Sequence, residues 1–364
     1  MLKKILSVAL IFVLCVSCGI AGGKKDKTSE STQIVEEIQQ EEEIETETTA
    51  VVATVDKNAI LYNHLSPEGE KVVMHEVWGY VMTGREYQFT NDMPVTDLCY
   101  FSADVNSYGE ITEIPNPAKF KGYNGRIHLV VTCTGRALTH MVLNPQFGVR
   151  EKVIDTIVRA SKQYDGIQID FENVPARDGK NFRTFLSEIR KRIGNEKWFT
   201  VAIAARVRTI ADDVYAYADI HPLVDRVIIM AYDEHWSGSK PGSVASMDWC
   251  ERVVNYSQTV IPAKKLVMGL PFYGRSWQDE SYGSAWVFNS MNRILNENGI
   301  TEVERDNGVP YFTTTIPVKV TGYFEDTYSV VTRCRLYESK NVDRIAFWRI
   351  GQEDPSFWEW LTIK

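Results

Sequence analysis

Eight short apolar, β-branched runs separated by amphipathic helical stretches predict an α/β chain closed as a (β/α)8 TIM barrel, with a small α+β insertion before the last strand. Three observations carry this reading. Strand and helix runs alternate along the chain, polar residues gather at the carboxyl ends of the strand runs, and one long gap separates the seventh run from the eighth. An open doubly wound sheet has the same alternation and is the alternative, but eight strands with shared polar ends favour closure.

The strand runs are Val77 to Met82, Val95 to Ser102, Ile127 to Cys133, Gly166 to Phe171, Phe199 to Ala205, Arg226 to Tyr232, Leu266 to Leu270 and Arg344 to Trp348. Between them, Val153, Ile154, Ile157 and Val158 share one helical face, as do Phe182, Phe185, Leu186, Ile189 and Ile193. The stretch from Phe272 to Asp343 is far longer than one helix needs. It carries a helix-like piece around Met291 to Asn298 and strand-like pieces at Tyr311 to Thr315 and Lys319 to Phe324, which places the insertion at about residues 278–325.

Residues 72–364 are read as the barrel domain, and the chain before them as address and tether. Lys3 and Lys4 precede an apolar run, Ile5 to Val16, that suits an export signal but is short for a membrane span. It ends in Cys15-Val16-Ser17-Cys18-Gly19, which resembles the lipobox of bacterial lipoproteins and implies cleavage before a lipidated Cys18. Residues 1–18 are therefore expected to be a lipoprotein-type signal and the protein to be anchored at the cell envelope, with simple secretion as the alternative. Residues 19–71 form an acidic tether and lead-in, because a Ser, Thr, Gln and Glu composition including Glu41-Glu42-Glu43 cannot bury a core.

The 364 residues are 44% hydrophobic, which excludes wholesale disorder, and carry a net charge of −8 without a basic stripe, which argues against nucleic acid as partner. Export permits disulfides, yet Cys99 and Cys133 lie in strand-like apolar runs where a buried free thiol is the commoner state; no bridge is assigned to them, to Cys250 or to Cys334. The six histidines, at 64, 75, 128, 140, 221 and 235, show no paired-ligand spacing, and no Gly-rich phosphate loop is present. Neither a metal nor another cofactor is expected. Gly166 is read as a tight-packing glycine at a strand start.

The segment Asp165-Gly166-Ile167-Gln168-Ile169-Asp170-Phe171-Glu172 holds the chemistry. Period-two alternation sends Ile167, Ile169 and Phe171 to one face and Gln168, Asp170 and Glu172 to the other, which points into the barrel. Carboxyls buried there without partners cost several kcal/mol each, so a purely structural role must supply cations. Residues two apart on a strand lie roughly 7 Å apart, close enough for Asp170 to couple to Glu172 and hold its proton near neutral pH, as a general acid requires.

This segment resembles the Asp-Gly-x-x-x-Asp-x-Glu signature of glycoside hydrolase family 18, the chitinases and related N-acetylglucosaminidases, whose fold is a (β/α)8 barrel. Met230-Ala231-Tyr232-Asp233 is similar to the family's strand-six motif, Gly269-Leu270-Pro271-Phe272-Tyr273-Gly274-Arg275 to its strand-seven motif and Ala346-Phe347-Trp348 to its strand-eight tryptophan. Asp233 to Ser239, Tyr323 to Asp326 and Trp348 to Gly351 look most like the bacterial branch of spore-cortex and peptidoglycan N-acetylglucosaminidases.

The resemblance implies hydrolysis with retention, in which the substrate's own 2-acetamido oxygen attacks the anomeric carbon. By motif position Glu172 is the general acid and then base, Asp170 accepts the acetamido N–H, and Tyr232 donates to the acetamido oxygen. Asp233 helps place the sugar, Trp348 floors it, and Tyr80 is a further substrate-contact candidate. Gln168 stands where the family has Asp or Asn; it is expected to hydrogen-bond to Asp170 and so tune it. The implied substrate is a GlcNAc-containing polysaccharide, peptidoglycan or a chitin-like polymer. A catalytically weak, lectin-like sugar binder and a chitinase are the alternatives.

Overall fold

The structure, a computed structural model, describes residues 59–279, 282–315 and 318–364. The expected signal segment, Cys18 and the tether up to residue 58 lie outside the described residues. All eight expected strands form: β1 (Glu76–Met82), β2 (Asp97–Val105), β3 (Arg126–Cys133), β4 (Gly166–Phe171), β5 (Trp198–Ala204), β6 (Arg226–Met230), β7 (Leu266–Pro271) and β8 (Arg344–Trp348). Each pairs in parallel with the next, and β8 returns to β1 with Arg344 opposite Glu76 and Phe347 opposite Gly79, which closes the barrel.

Strand alternation divides the core in two. Trp78 and Tyr80 of β1, Cys99 of β2, Val130 of β3, Ala202 of β5, Ile228 of β6, Val267 of β7 and Ala346 of β8 pack together as the barrel filling. The opposite parity packs outward on helices: Ile167, Ile169 and Phe171 of β4 share the outer core with Phe182, Phe185, Leu186 and Ile189 of the helix Gly179–Ile193. The Phe171 and Phe185 rings lie 5.1 Å apart. Each such fully buried side chain contributes about 1.5–3 kcal/mol. Gly194, at φ +72°, ends that helix in a backbone conformation that favours glycine. On the helix Arg150–Ala160, Val153, Ile154 and Ile157 are buried, as their spacing requires.

The amino-terminal end of the barrel is closed by ion pairs. Arg226 donates to both Glu76 carboxylate oxygens, the Trp78 indole N–H reaches Glu76 Oε2 at 3.1 Å, and Arg126 grips Asp97 at 2.6 and 2.7 Å while His128 lies 2.8 Å from the same carboxylate. These carboxylates are buried and paired, and burial with excellent geometry is what makes such groups tolerable. Gly166 starts β4 against this floor; a Cβ there would sit 2.3 Å from His128 Nδ1.

The insertion is an antiparallel sheet of five strands, in the spatial order Ser284–Val287, Tyr273–Gln278, Lys319–Tyr323, Val309–Thr315, Glu304–Asp306, with the helix Phe288–Glu297 packed on it. It begins at Tyr273 rather than near 278, because only Phe272 separates β7 from its first strand. Gly274 permits this close crossing, since a Cβ there would meet the Tyr323 carbonyl oxygen at 2.4 Å.

The packed chain also starts earlier than Val72. Tyr62 is buried with Met291, Phe312 and Phe324 in the insertion's core, the Asn63 amide donates to Thr301 O at 2.9 Å, and His64 pairs with Asp354 at 3.1 Å. The lead-in from residue 59 is thus a packed strap and not tether. Cys99, Cys133, Cys250 and Cys334 are buried free thiols. No helix among the described residues is long and apolar enough to cross a membrane.

Candidate active site

The carboxyl end of the barrel holds a cavity of about 270 Å³ lined by Asp170, Glu172, Tyr232, Asp233 and Trp348, together with Phe101, Met230, Tyr273, Arg275, Ala285 and Gln352. Five residues singled out from three separate sequence motifs therefore meet in one place. Each is delivered by the end of a strand: Asp170 and Glu172 by β4, Tyr232 and Asp233 by β6, Trp348 by β8. Gly269 of β7 makes room for Tyr232, since a Cβ there would lie 3.1 Å from its ring and 2.7 Å from Ile229 O.

The electrostatics of this end are the reverse of the floor's. Asp170 is 5% exposed, and among the described residues its Oδ1 has no hydrogen-bond partner. Burial, and then the neighbouring Glu172, push its carboxyl well above the usual carboxylate range. Glu172 opens to the cavity and is the more exposed of the two; burial and then Asp233 raise its carboxyl too. No cation is paired with either among the described residues, so burial and mutual repulsion both work against ionising the two carboxyls together. Burial first, and the surrounding carboxylates next, likewise keep the Tyr232 hydroxyl protonated. The group is a set of hydrogen donors and acceptors waiting for a ligand, which is what acid–base chemistry needs.

Asp233 is fixed differently. Its backbone is left-handed, at φ +59°, and its Oδ1 accepts from the Tyr273 hydroxyl at 2.7 Å and from Arg275 at 2.8 and 3.2 Å. Trp348 is backed by Phe101, edge-on at 4.7 Å between ring centres, and by Tyr80 at 5.3 Å. Its exposed face is a flat apolar surface of the kind that sugars stack on.

Two expected contacts are different. Tyr80 and Gln168 do not line the cavity: they are 2% and 0% exposed and lie beneath it. Nor does Gln168 bond to Asp170. Its carbonyl oxygen accepts the Tyr80 hydroxyl, and its amide donates to Thr200 Oγ1 at 3.2 Å and approaches Cys99 Sγ at 3.6 Å. The longer side chain reaches across the barrel layer instead of up the strand.

The sequence reading missed Phe101, Met230, Tyr273, Arg275, Ala285 and Gln352 as lining residues. Met230, Tyr273 and Arg275 stand inside the motifs quoted for strands six and seven, so that signal was present; Ala285 and Gln352 arrive on the insertion and on the loop after β8, where no pattern marks them. Glu234 and His235 beside Asp233 have structural partners, Glu234 accepting the Ser246 amide at 2.9 Å and His235 lying 2.8 Å from Ser243 O. Among the described residues no group of three or more His, Cys, Asp or Glu is placed to hold a metal.

A barrel with two carboxyls, a tyrosine and a tryptophan converging at its carboxyl end defines a glycoside hydrolase of the chitinase-like class. The chain belongs to glycosyl hydrolases family 18, whose profile matches residues 79–353, from within β1 to beyond the end of β8. It is 27% identical over 286 residues to the uncharacterized glycosylase YvbX of Bacillus subtilis, covering 75% of this chain and 79% of that one. It is 25% identical over 300 residues to the cortical fragment-lytic enzyme of Bacillus anthracis, covering 74% and 67%. The spore cortex-lytic enzyme SleL of Bacillus cereus has the same fold, with a TM-score of 0.72 at 21% identity over 82% of this chain and 77% of that one. The family implies substrates that are GlcNAc-containing polysaccharides.

Proposed function

We propose that this protein cleaves β-linked N-acetylglucosamine bonds in peptidoglycan or a related polymer, with retention and by substrate assistance. The observation that carries the reading is the unpaired Asp170 Oδ1, buried in the same cavity as Glu172, Tyr232 and Trp348.

A sugar stacked on Trp348 brings its 2-acetamido group toward Asp170 and Tyr232. The acetamido N–H donates to Asp170, supplying the hydrogen bond its carboxyl lacks, and Tyr232 donates to the acetamido oxygen. That oxygen attacks the anomeric carbon and the bond to the leaving oxygen breaks as Glu172 gives it a proton. The product is an oxazolinium ion, whose positive charge the now ionised carboxylates oppose at close range. Glu172, now a carboxylate, takes a proton from water as the water oxygen bonds to the anomeric carbon on the face the leaving group left; the bond from that carbon to the acetamido oxygen breaks, its electron pair returning to the oxygen, and the acetamide is restored. No enzyme nucleophile is needed. Arg275 and Tyr273 keep Asp233 at the rim to bind the sugar's hydroxyls.

Peptidoglycan is favoured over chitin by the similarity to the cortical fragment-lytic enzyme and by the export signal with Cys18, which together suit a lipid-anchored protein of the bacterial cell envelope. Residues before 59 serve as the tether in this reading. Cys18→Ser should release the exported protein from membranes, and metabolic labelling that finds no lipid on the wild type would overturn the anchor.

The deciding experiment is product analysis of the purified protein with peptidoglycan and with chitooligosaccharides, beside Glu172→Gln. Cleavage of a GlcNAc linkage by the wild type alone supports the assignment. Binding without cleavage by both proteins overturns it in favour of a lectin-like sugar binder.

A further inference from the structure

The side chain that must donate the proton is poorly held by packing. Glu172 lies between the main cavity and a second one of about 170 Å³ that also touches Ile203, Tyr215 and Met230. With open space on two sides, its direction is set by its backbone. That backbone turns sharply: Asn173 is left-handed, at φ +57°, a conformation that costs energy for a residue with a Cβ.

Tyr215, in the loop after β5, spans this turn. Its hydroxyl donates to Phe171 O at 2.7 Å and accepts from the Val174 amide at 3.2 Å, one contact on each side of Glu172-Asn173. The Glu172 amide itself donates to Cys133 O at 3.0 Å. Tyr215 is in turn preset. Its ring is 8% exposed and edge-on to Phe182, its amide donates to Asp213 Oδ1 at 3.1 Å, and Arg206 donates to both Asp213 oxygens at 2.7 and 2.9 Å.

We propose that Tyr215 is a positioning residue for the reaction, clamping the Glu172-Asn173 turn through its hydroxyl so that the Glu172 carboxyl faces the leaving oxygen, with the Arg206–Asp213 pair holding Tyr215 in place. The proposal rests on Glu172 being the general acid. A carboxyl displaced by about 1 Å costs up to about a hundredfold in rate, so the clamp acts on turnover more than on sugar binding.

The test is Tyr215→Phe, which keeps the ring and removes both hydrogen bonds, compared with wild type and Glu172→Gln in full-length protein. The expected result is a fall in kcat of about ten- to a hundredfold with KM changed less than about threefold. The alkaline limb of the kcat profile should move to lower pH, because a loosened turn lets the Glu172 carboxyl swing further into the open space beside it and relaxes the effect of burial. Amide exchange at Val174 should accelerate.

Unchanged kcat and pH profile in Tyr215→Phe, with Glu172→Gln inactive, overturn the clamp alone. An active Glu172→Gln overturns the general-acid reading and the clamp with it. If Tyr215→Phe fails to fold, Asp213→Asn weakens the support while leaving the hydroxyl in place; it should lower kcat and shift the limb in the same sense, and no change in either overturns the proposal.

Discussion

The Tyr80 hydroxyl donates to the Gln168 carbonyl oxygen, and that bond turns Gln168 away from Asp170. The Gln168 amide is then spent on Thr200 and Cys99, so Gln168 acts as a brace across the barrel layer under the site. Gln168→Leu keeps the volume but strands a fully buried tyrosine hydroxyl. It should destabilise the protein by about 1–3 kcal/mol, read from denaturant midpoints, with a smaller effect on kcat than on stability. A large rate loss at unchanged stability would restore the tuning role expected from the sequence.

Asp170 should make stability fall as pH rises. Its folded carboxyl is pushed up by burial and by Glu172, so above the ordinary Asp value of about 3.9 the native state binds more protons than the unfolded chain. The favourable contribution is complete below that value and is lost as pH climbs through the raised one. Asp170→Asn removes the dependence, so its melting temperature relative to wild type should be higher at pH 8 than at pH 5. A constant difference across that range would show that Asp170 ionises freely.

Arg275 holds Asp233 by two donors to one oxygen, with the Tyr273 hydroxyl on the same atom. Arg275→Ala removes a charge-assisted anchor, of which hydrogen bonds to charged groups are worth about 1.5–3 kcal/mol. The loss should fall on sugar binding, raising KM about tenfold or more while kcat changes less. A kcat loss at constant KM would place Asp233 in the proton chemistry instead.

His64 ties the strap to Asp354 at 3.1 Å, and that bond raises the His64 imidazole above its ordinary value. Its contribution to stability is complete below about pH 6.5 and is lost as pH rises through the raised value. His64→Gln should therefore lower the melting temperature more at pH 6 than at pH 9. Equal losses at both would mean that packing, and not charge, fastens the strap.

Much of this molecule is local and so legible in the residues. Short apolar, β-branched runs had to be strands buried on both sides, Phe182, Phe185, Leu186 and Ile189 had to be one helix face, and alternation in Gly166–Phe171 had to put Asp170 inside, because side-chain direction follows from backbone geometry alone. That Asp170, Glu172, Tyr232, Asp233 and Trp348 converge also followed, since a closed barrel brings all its strand ends to one rim.

Other features depended on distance in space, which no spacing encodes. Gln168 could reach Asp170 along its own strand, Thr200 on the neighbouring β5 or Tyr80 across the barrel on β1, and only the closed barrel places those partners near enough to win. Tyr62 reads as part of a polar lead-in until the insertion presents Phe312 and Phe324 to cover it. Tyr215, in a loop 41 residues beyond Val174, clamps the turn at Glu172 only because β4 and β5 lie side by side. The sequence by itself determined the strands, the helix faces and which carboxyls point into the barrel, through local periodicity; the tertiary structure decided which groups brace and desolvate them, because those effects depend on neighbours that meet only when the barrel closes.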